Sequence, residues 1–203
     1  MNRIIKIGII CCTIIFVNVS CNYFNQKEDE IEVPKGITYE QLKEARYKYK
    51  IEKAYNDQHL FQSKTNDAII TLFDVIKYHI KDEKGNFGEG INYYIFDIGI
   101  DNPSNTTFNA AAFTNSCYLS NEDSTYRYPK QLSALKIYYM QTDSSAMDTS
   151  YINRFLYEAM PSRDFIRAKL FAFEVLDEDK HPLFFRYKIG NQDFVYKVRD
   201  EQY

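Results

Sequence analysis

This sequence predicts an all-β protein, an antiparallel β-sandwich of seven or eight short strands with a short helix in front of it. Three observations carry the prediction. From residue 94 onward, Tyr94, Phe96, Ile98 and Ile100 alternate with Ile95, Asp97, Gly99 and Asp101, and a period of two is the spacing of a pleated strand. The composition has 18 Tyr and 15 Phe but no Trp and only 7 Gly, and Tyr and Phe favour half-buried pleated surfaces. Near the C-terminus, Leu183, Phe185, Tyr187 and Ile189 alternate with Phe184, Arg186 and Lys188; after Gly190-Asn191, Phe194, Tyr196 and Val198 alternate with Val195, Lys197 and Arg199. Two alternating runs joined by such a pair of residues predict a hairpin.

Taken in chain order, the N-terminus has the three parts of a secretory signal. Arg3 and Lys6 precede an apolar run at residues 7–17, and small Ser20 stands directly before Cys21. A spanning helix needs roughly 20 apolar residues, so the run is short for a permanent span. The residues before Cys21 resemble the lipobox of bacterial lipoproteins, with Asn18 where that family usually has Leu. The resemblance implies a signal peptide over residues 1–20, cleavage between Ser20 and Cys21, and lipid carried by Cys21. The alternatives are an ordinary cleaved signal or an uncleaved anchor. A single acyl chain holds a protein only marginally, whereas two or more hold it stably.

Residues 21–37 read as a flexible acidic linker, because a charge-rich, apolar-poor segment buries too little surface to fold. Its Gln26-Lys27-Glu28-Asp29-Glu30 tract also resembles the export signal that takes some Gram-negative lipoproteins to the outer face of the outer membrane. That resemblance implies a lipid-anchored protein at the cell surface.

Residues 38–66 read as a helix and a connection. Thr38 and Gln41 fit a capping box, and Leu42, Ala45, Tyr49 and Ala54 follow near helical spacing to about Asn56. Tyr47, Tyr49 and Ile51 also alternate with Lys48, Lys50 and Glu52, but the helix is the reading adopted. Residues 57–65 read as the connection.

The sandwich is expected over residues 67–203. Residues 68–80 are rich in β-branched side chains and read as a strand. The central strand follows and is stopped by Asn102-Pro103-Ser104-Asn105, since Pro removes a ladder donor and Asn and Ser favour turns. Residues 108–119 are expected to be mostly extended, and residues 121–124 to turn. Tyr126 and Tyr128 alternate with Thr125 and Arg127. Residues 135–140 are a further apolar segment, residues 151–159 a helical turn or strand, and residues 165–176 another strand.

The order of these runs, with Phe173-Glu174-Val175 late in the chain, resembles the small secreted or lipid-anchored immunoglobulin-like domains typified by the mycobacterial immunoprotective antigen. The resemblance covers residues 67–198, and its motifs are structural. The family's Pro-Gly turn stands here as Pro161-Ser162, and its Asp-Gly turn as Glu122-Asp123-Ser124. The resemblance implies an immunoglobulin-like sandwich and no common activity.

Few residues fall in patterns that carry chemistry. With 25 basic and 28 acidic side chains and a net charge of −3, the chain lacks the basic balance of a nucleic-acid binder. His59, His79 and His181 fall at no metal-ligand spacing. Asp177-Glu178-Asp179 before His181 lacks the alternating ligands and Gly of a calcium loop. Asp97 and Asp101 share a strand face about 13 Å apart at ~3.3 Å per residue, too far to act on one bond. They are expected on the wet side of the sheet. Cys117 reads as a buried thiol that packs as a small apolar residue, or alternatively as one that pairs between chains. Asp123-Ser124-Thr125 resembles the Asp-Ser/Thr-x acceptor of some Gram-negative O-glycosylation systems, which would place a glycan on Ser124. No cofactor is expected.

The sequence therefore points to a non-enzymatic lipoprotein whose sandwich binds an unknown protein or glycan partner. The alternative is an accessory or structural subunit of an envelope assembly on the periplasmic side.

Overall fold

The computed structural model describes residues 36–80, 90–142 and 159–198. The chain divides into two units, residues 1–42 and 43–203. In the described part of the first, Thr38 Oγ1 accepts from Gln41 N at 3.3 Å while Gln41 Oε1 accepts from Thr38 N at 2.9 Å. This is the predicted capping box, and it starts α1, Tyr39–Tyr55. Beyond the cap, Tyr47, Ile51, Ala54 and Tyr55 fall on one helical face and pack together with Phe73 and Phe165. That stripe is why the competing two-residue alternation does not produce a strand.

The second unit is the predicted antiparallel sandwich. Its first sheet holds β1 (Phe61–Lys64), β2 (Ile69–Tyr78), β3 (Ile91–Asn102) and β6 (Asp164–Leu176), in the order β1-β2-β3-β6. Its second holds β4 (Tyr118–Ser120), β5 (Arg127–Tyr128), β7 (Phe184–Ile189) and β8 (Gln192–Lys197), in the order β5-β4-β7-β8. The segment read as a connection contributes β1, which pairs Phe61 with Leu72 and Lys64 with Ile69.

β3 lies inside the first sheet, paired with β2 on one side and β6 on the other. Phe96, Ile98 and Ile100 enter one core cluster with Leu119, Phe185 and Tyr187 of the second sheet. The rings of Phe96 and Phe185 stack at 4.4 Å across the gap between the sheets.

Residues 108–119 are not mostly extended. Residues 110–116 form a second helix, α2 (Ala110–Ser116). Asn109 Oδ1 accepts from Ala112 N at 2.8 Å, and three successive alanines favour the helix once it is capped. The apolar segment at residues 135–140 belongs to a third helix, α3 (Leu132–Thr142). Its Ala134, Leu135 and Tyr139 pack on Ile95 and Ala172. The reading of residues 151–159 lies outside the described residues except for Ala159.

The hairpin is as predicted. Gly190 adopts φ +58°, and a two-residue β-hairpin loop requires such left-handed backbone at its first central position in the II′ form. Among the described residues no helix is long and apolar enough to cross a membrane.

Candidate interaction surface

The two carboxylates expected on the wet side of β3 are buried, Asp97 at 8% exposure and Asp101 at 4%. The alternation placed them correctly on the face opposite Phe96 and Ile98. That face is covered, because residues 47–55 of α1 lie over Phe73 and Phe165 there. The polar groups beneath α1 are satisfied one by one. Arg167 reaches Asp97 with Nε at 3.2 Å and Nη2 at 3.0 Å. Its Nη1 meets Asp57, and its guanidinium lies 3.9 Å from the centre of the Phe73 ring. Tyr47 donates its hydroxyl to Asp101 Oδ1 at 2.7 Å, and Lys50 pairs with Asp164 at 2.7 Å.

Burial pushes the Asp101 carboxyl above its ordinary range, against the opposing pull of the Tyr47 hydroxyl. Burial, then the Asp101 hydrogen bond, pushes the Tyr47 phenol well above its own. Each carboxylate thus has its own partner, and the arrangement clamps the helix to the sheet.

The other residues singled out by the sequence separate in the same way. Ser20 and Cys21, and with them the cleavage and lipidation sites, lie outside the described residues, as does the acidic tract. Ser124 sits half-buried in the loop between β4 and β5 at φ +60°. The loop is held by Asp123 Oδ1, which accepts from Thr125 N at 3.1 Å and from Thr125 Oγ1 at 2.7 Å; these bonds keep the Asp123 carboxyl below its ordinary range.

Cys117 is a buried free thiol, donating to Phe113 O at 3.3 Å. Burial raises its pKa far above the ordinary thiol value, and it packs as a small apolar side chain. In the His181 loop, Asp179 accepts from His181 N at 3.0 Å and from the Tyr128 hydroxyl at 2.5 Å, while Asp177 accepts from the Asn92 side chain. Among the described residues no three His, Cys, Asp or Glu are placed to hold a metal.

What the sequence reading did not isolate is the outer face of the second sheet. The side chains of Leu119, Phe185 and Tyr187 point into the core, so their neighbours along each strand point out. Pairing sets Tyr118 beside Arg186, Ser120 beside Phe184 and Arg127, Phe184 beside Lys197, and Arg186 beside Val195. Arg127 lies 4.0 Å over the Tyr118 ring, while Arg186 and Lys197 lie 5.5 Å and 5.9 Å from the Phe184 ring. Arg186 is also fixed by Ser120 Oγ at 3.1 Å and by Glu122 O at 2.7 Å. Among the described residues, none of these three cations forms an ion pair with a carboxylate; the ion pair on this face joins Lys188 to Asp193 at 3.3 Å.

Arg127, Lys197 and Val195 are exposed, with Val195 at 43%, and Tyr126 beside the patch is exposed at 52%. A guanidinium over a ring can still donate N–H groups to a carboxylate or phosphate. Arg127 and Lys197 are therefore exposed cations set over aromatic rings, and Arg186, whose Nε and Nη2 are engaged by Ser120 and Glu122, adds positive charge between them. The signal in the sequence was partial, Arg186 and Lys188 two residues apart in one strand and Lys197 at the end of the next, and their neighbours across the sheet depend on register.

No family model and no curated protein sequence matches this chain. Solved structures similar to it include a conserved hypothetical protein of Bacillus anthracis, at 11% identity and a TM-score of 0.46, covering 68% of this chain and 92% of that one. A candidate lipoprotein of Bacillus subtilis is similar at 9% identity and a TM-score of 0.45, covering 70% of this chain and 39% of that one. An uncharacterized β-sandwich protein of Clostridium difficile is similar at 14% identity and a TM-score of 0.41, covering 68% of this chain and 90% of that one. Likeness this distant concerns the course of the chain and no activity.

Proposed function

We propose that this chain is a non-catalytic bacterial lipoprotein, held by lipid on Cys21 to the outer membrane and displayed at the cell surface. Its β-sandwich is a binding module that meets an anionic protein or glycan partner through the outer face of its second sheet. The observation that carries the reading is the set of cations Arg127, Arg186 and Lys197 beside aromatic rings, which have no carboxylate partner among the described residues. Support for the tether comes from the Arg3/Lys6, apolar-run and Ser20-Cys21 sequence. The acidic tract after Cys21 supports surface display.

A chain of net charge −3 is repelled on average by a polyanion, so its retention on one requires a local cationic patch. The test is salt-gradient elution of the full chain, in detergent, from heparin-agarose. The parent is expected to be retained at physiological ionic strength, and the triple variant Arg127→Glu, Arg186→Glu, Lys197→Glu to pass through. Equal elution of the two would remove the face from the proposal. Ser124 modification is a separate part of the reading, checked by the mass of the peptide containing Asp123-Ser124-Thr125 from the native host.

A further inference from the structure

β8 ends the second sheet, with β7 on one side and no strand on the other among the described residues. Val198 N donates to Leu183 O at 2.9 Å, and the same register pairs Phe185 with Tyr196, Tyr187 with Phe194 and Ile189 with Gln192. In an antiparallel ladder the bonded pairs alternate along the strand. The bonding groups of Phe194 and Tyr196 are therefore spent on β7, and those of Asp193, Val195 and Lys197 face away from it. These three residues are symmetric about Val195, with an acid at one end and a base at the other.

We infer that the β8 edge is a self-complementary interface that pairs with β8 of a second copy of this chain, antiparallel about a two-fold axis at Val195. In that register Asp193 of each copy lies opposite Lys197 of the other, Val195 meets Val195, and Phe194 meets Tyr196. The three outward residues of each edge supply about six backbone hydrogen bonds between the copies. A two-fold contact must be self-complementary in this way.

Two neighbouring registers are rejected by charge. Centring the axis on Asp193 puts two carboxylates opposite each other, and centring it on Lys197 does the same with two ammonium groups, which is destabilising across a strand pair. A lone Lys on an edge strand normally discourages pairing. Here Asp193, whose exposed carboxylate also meets Lys188 of its own chain at 3.3 Å, offsets that effect in one register only.

The space for an added strand is present. A groove of about 840 Å³, with Leu60, Phe61, Tyr196 and Val198 among its walls, runs beside this edge. Leu60 is 48% exposed and Val195 43% exposed. Phe194 and Tyr196 of the second copy, on the inward side of its strand, would lie over Leu60 and Phe61. Pairing also joins the two outer faces into one continuous surface, on which Lys197 of each copy is spent on Asp193 of the other and Arg127 and Arg186 of both copies remain for an anionic partner. The edge pairing does not depend on that reading, since its contacts are β8 to β8.

The test is sedimentation of the full chain in detergent, with circular dichroism as the check on folding. The parent is expected to be a dimer that dissociates on dilution. Asp193→Lys places lysine opposite Lys197 at both ends and weakens association at least about tenfold. The double variant Asp193→Lys, Lys197→Asp restores the opposite-charge pairs and should recover the parent's dimerisation. A parent that stays monomeric, a single reversal without effect, or a double reversal that fails to recover would each overturn the inference. Binding of a different protein's strand at this edge falls under the first of these outcomes.

Discussion

Arg167 is the residue on which the covered face of the first sheet turns. It satisfies Asp97, reaches Asp57 just past the end of α1, and sits 3.9 Å from the centre of the Phe73 ring. Removing one partner of a buried ion pair leaves an uncompensated charge, so Arg167→Ala should cost about 3 kcal/mol in denaturant unfolding. A cost within the noise of a surface substitution would show that the pair does not hold the helix.

Asp101 gives a pH test with a definite sign. Burial raises its folded pKa, and a carboxyl whose folded pKa lies above its unfolded one favours folding while protonated. That contribution is present below the unfolded pKa and lost as pH rises through the folded one. Asp101→Asn stays neutral and escapes the loss. The melting temperature of the variant relative to the parent should therefore climb from the ordinary carboxylate range towards neutrality. A flat or falling difference would contradict the burial argument. The position of Asp97 and Asp101 on one side of β3 was legible in the two-residue alternation. Whether that side is wet was not, because it depends on Tyr47 and Tyr55 of α1 reaching Asp101 and Thr71 from outside the strand's own sequence.

The strands with a strong two-residue period, β3 and the β7–β8 hairpin, were read correctly, because pattern and final environment agree there, and β2 was read correctly from its β-branched side chains. The helices at residues 110–116 and 132–142 were missed. Their signal is a capping Asn109 and a stripe of Ala134, Leu135 and Tyr139, and short apolar runs look alike in either period. The Asn102 turn was legible as a stop, yet its role is larger. Asn102 is fully buried, donates to Thr106 O and Pro161 O at 2.8 Å each, and accepts from Ser104 Oγ at 2.6 Å. It ties the end of β3 to the chain entering β6. Asn102→Ala would orphan those carbonyls and should cost about 2–3 kcal/mol, measured by chemical unfolding against a Ser104→Ala control of smaller effect. In the middle of the same strand, a Cβ added at Gly99 would stand 2.6 Å from Phe73 Cε2 and 3.2 Å from the Phe165 ring. Gly99→Ala should therefore destabilise by about 1–3 kcal/mol through overpacking, with the loss of α1 contacts visible as faster proteolysis near residue 55.

The two sheets differ in what covers their outer faces among the described residues. One sheet is covered on its outside by α1 and α3, which bury Phe73, Phe165, Ile95 and Ala172. The other carries exposed Arg127, Val195 and Lys197 on its outside and an edge strand with matched charges at its end. The sequence displays the tether and the sandwich locally, but the cationic face and the β8 edge exist only once strands separated by some sixty residues pair in register. The proposed tether of this sandwich is lipid on Cys21. Metabolic labelling with an alkynyl fatty acid, followed by fluorophore coupling and gel analysis of the immunoprecipitated full chain, tests it directly. The parent is expected to carry label and Cys21→Ala to carry none. A parent without label, or a Cys21→Ala variant labelled as strongly as the parent, would contradict it.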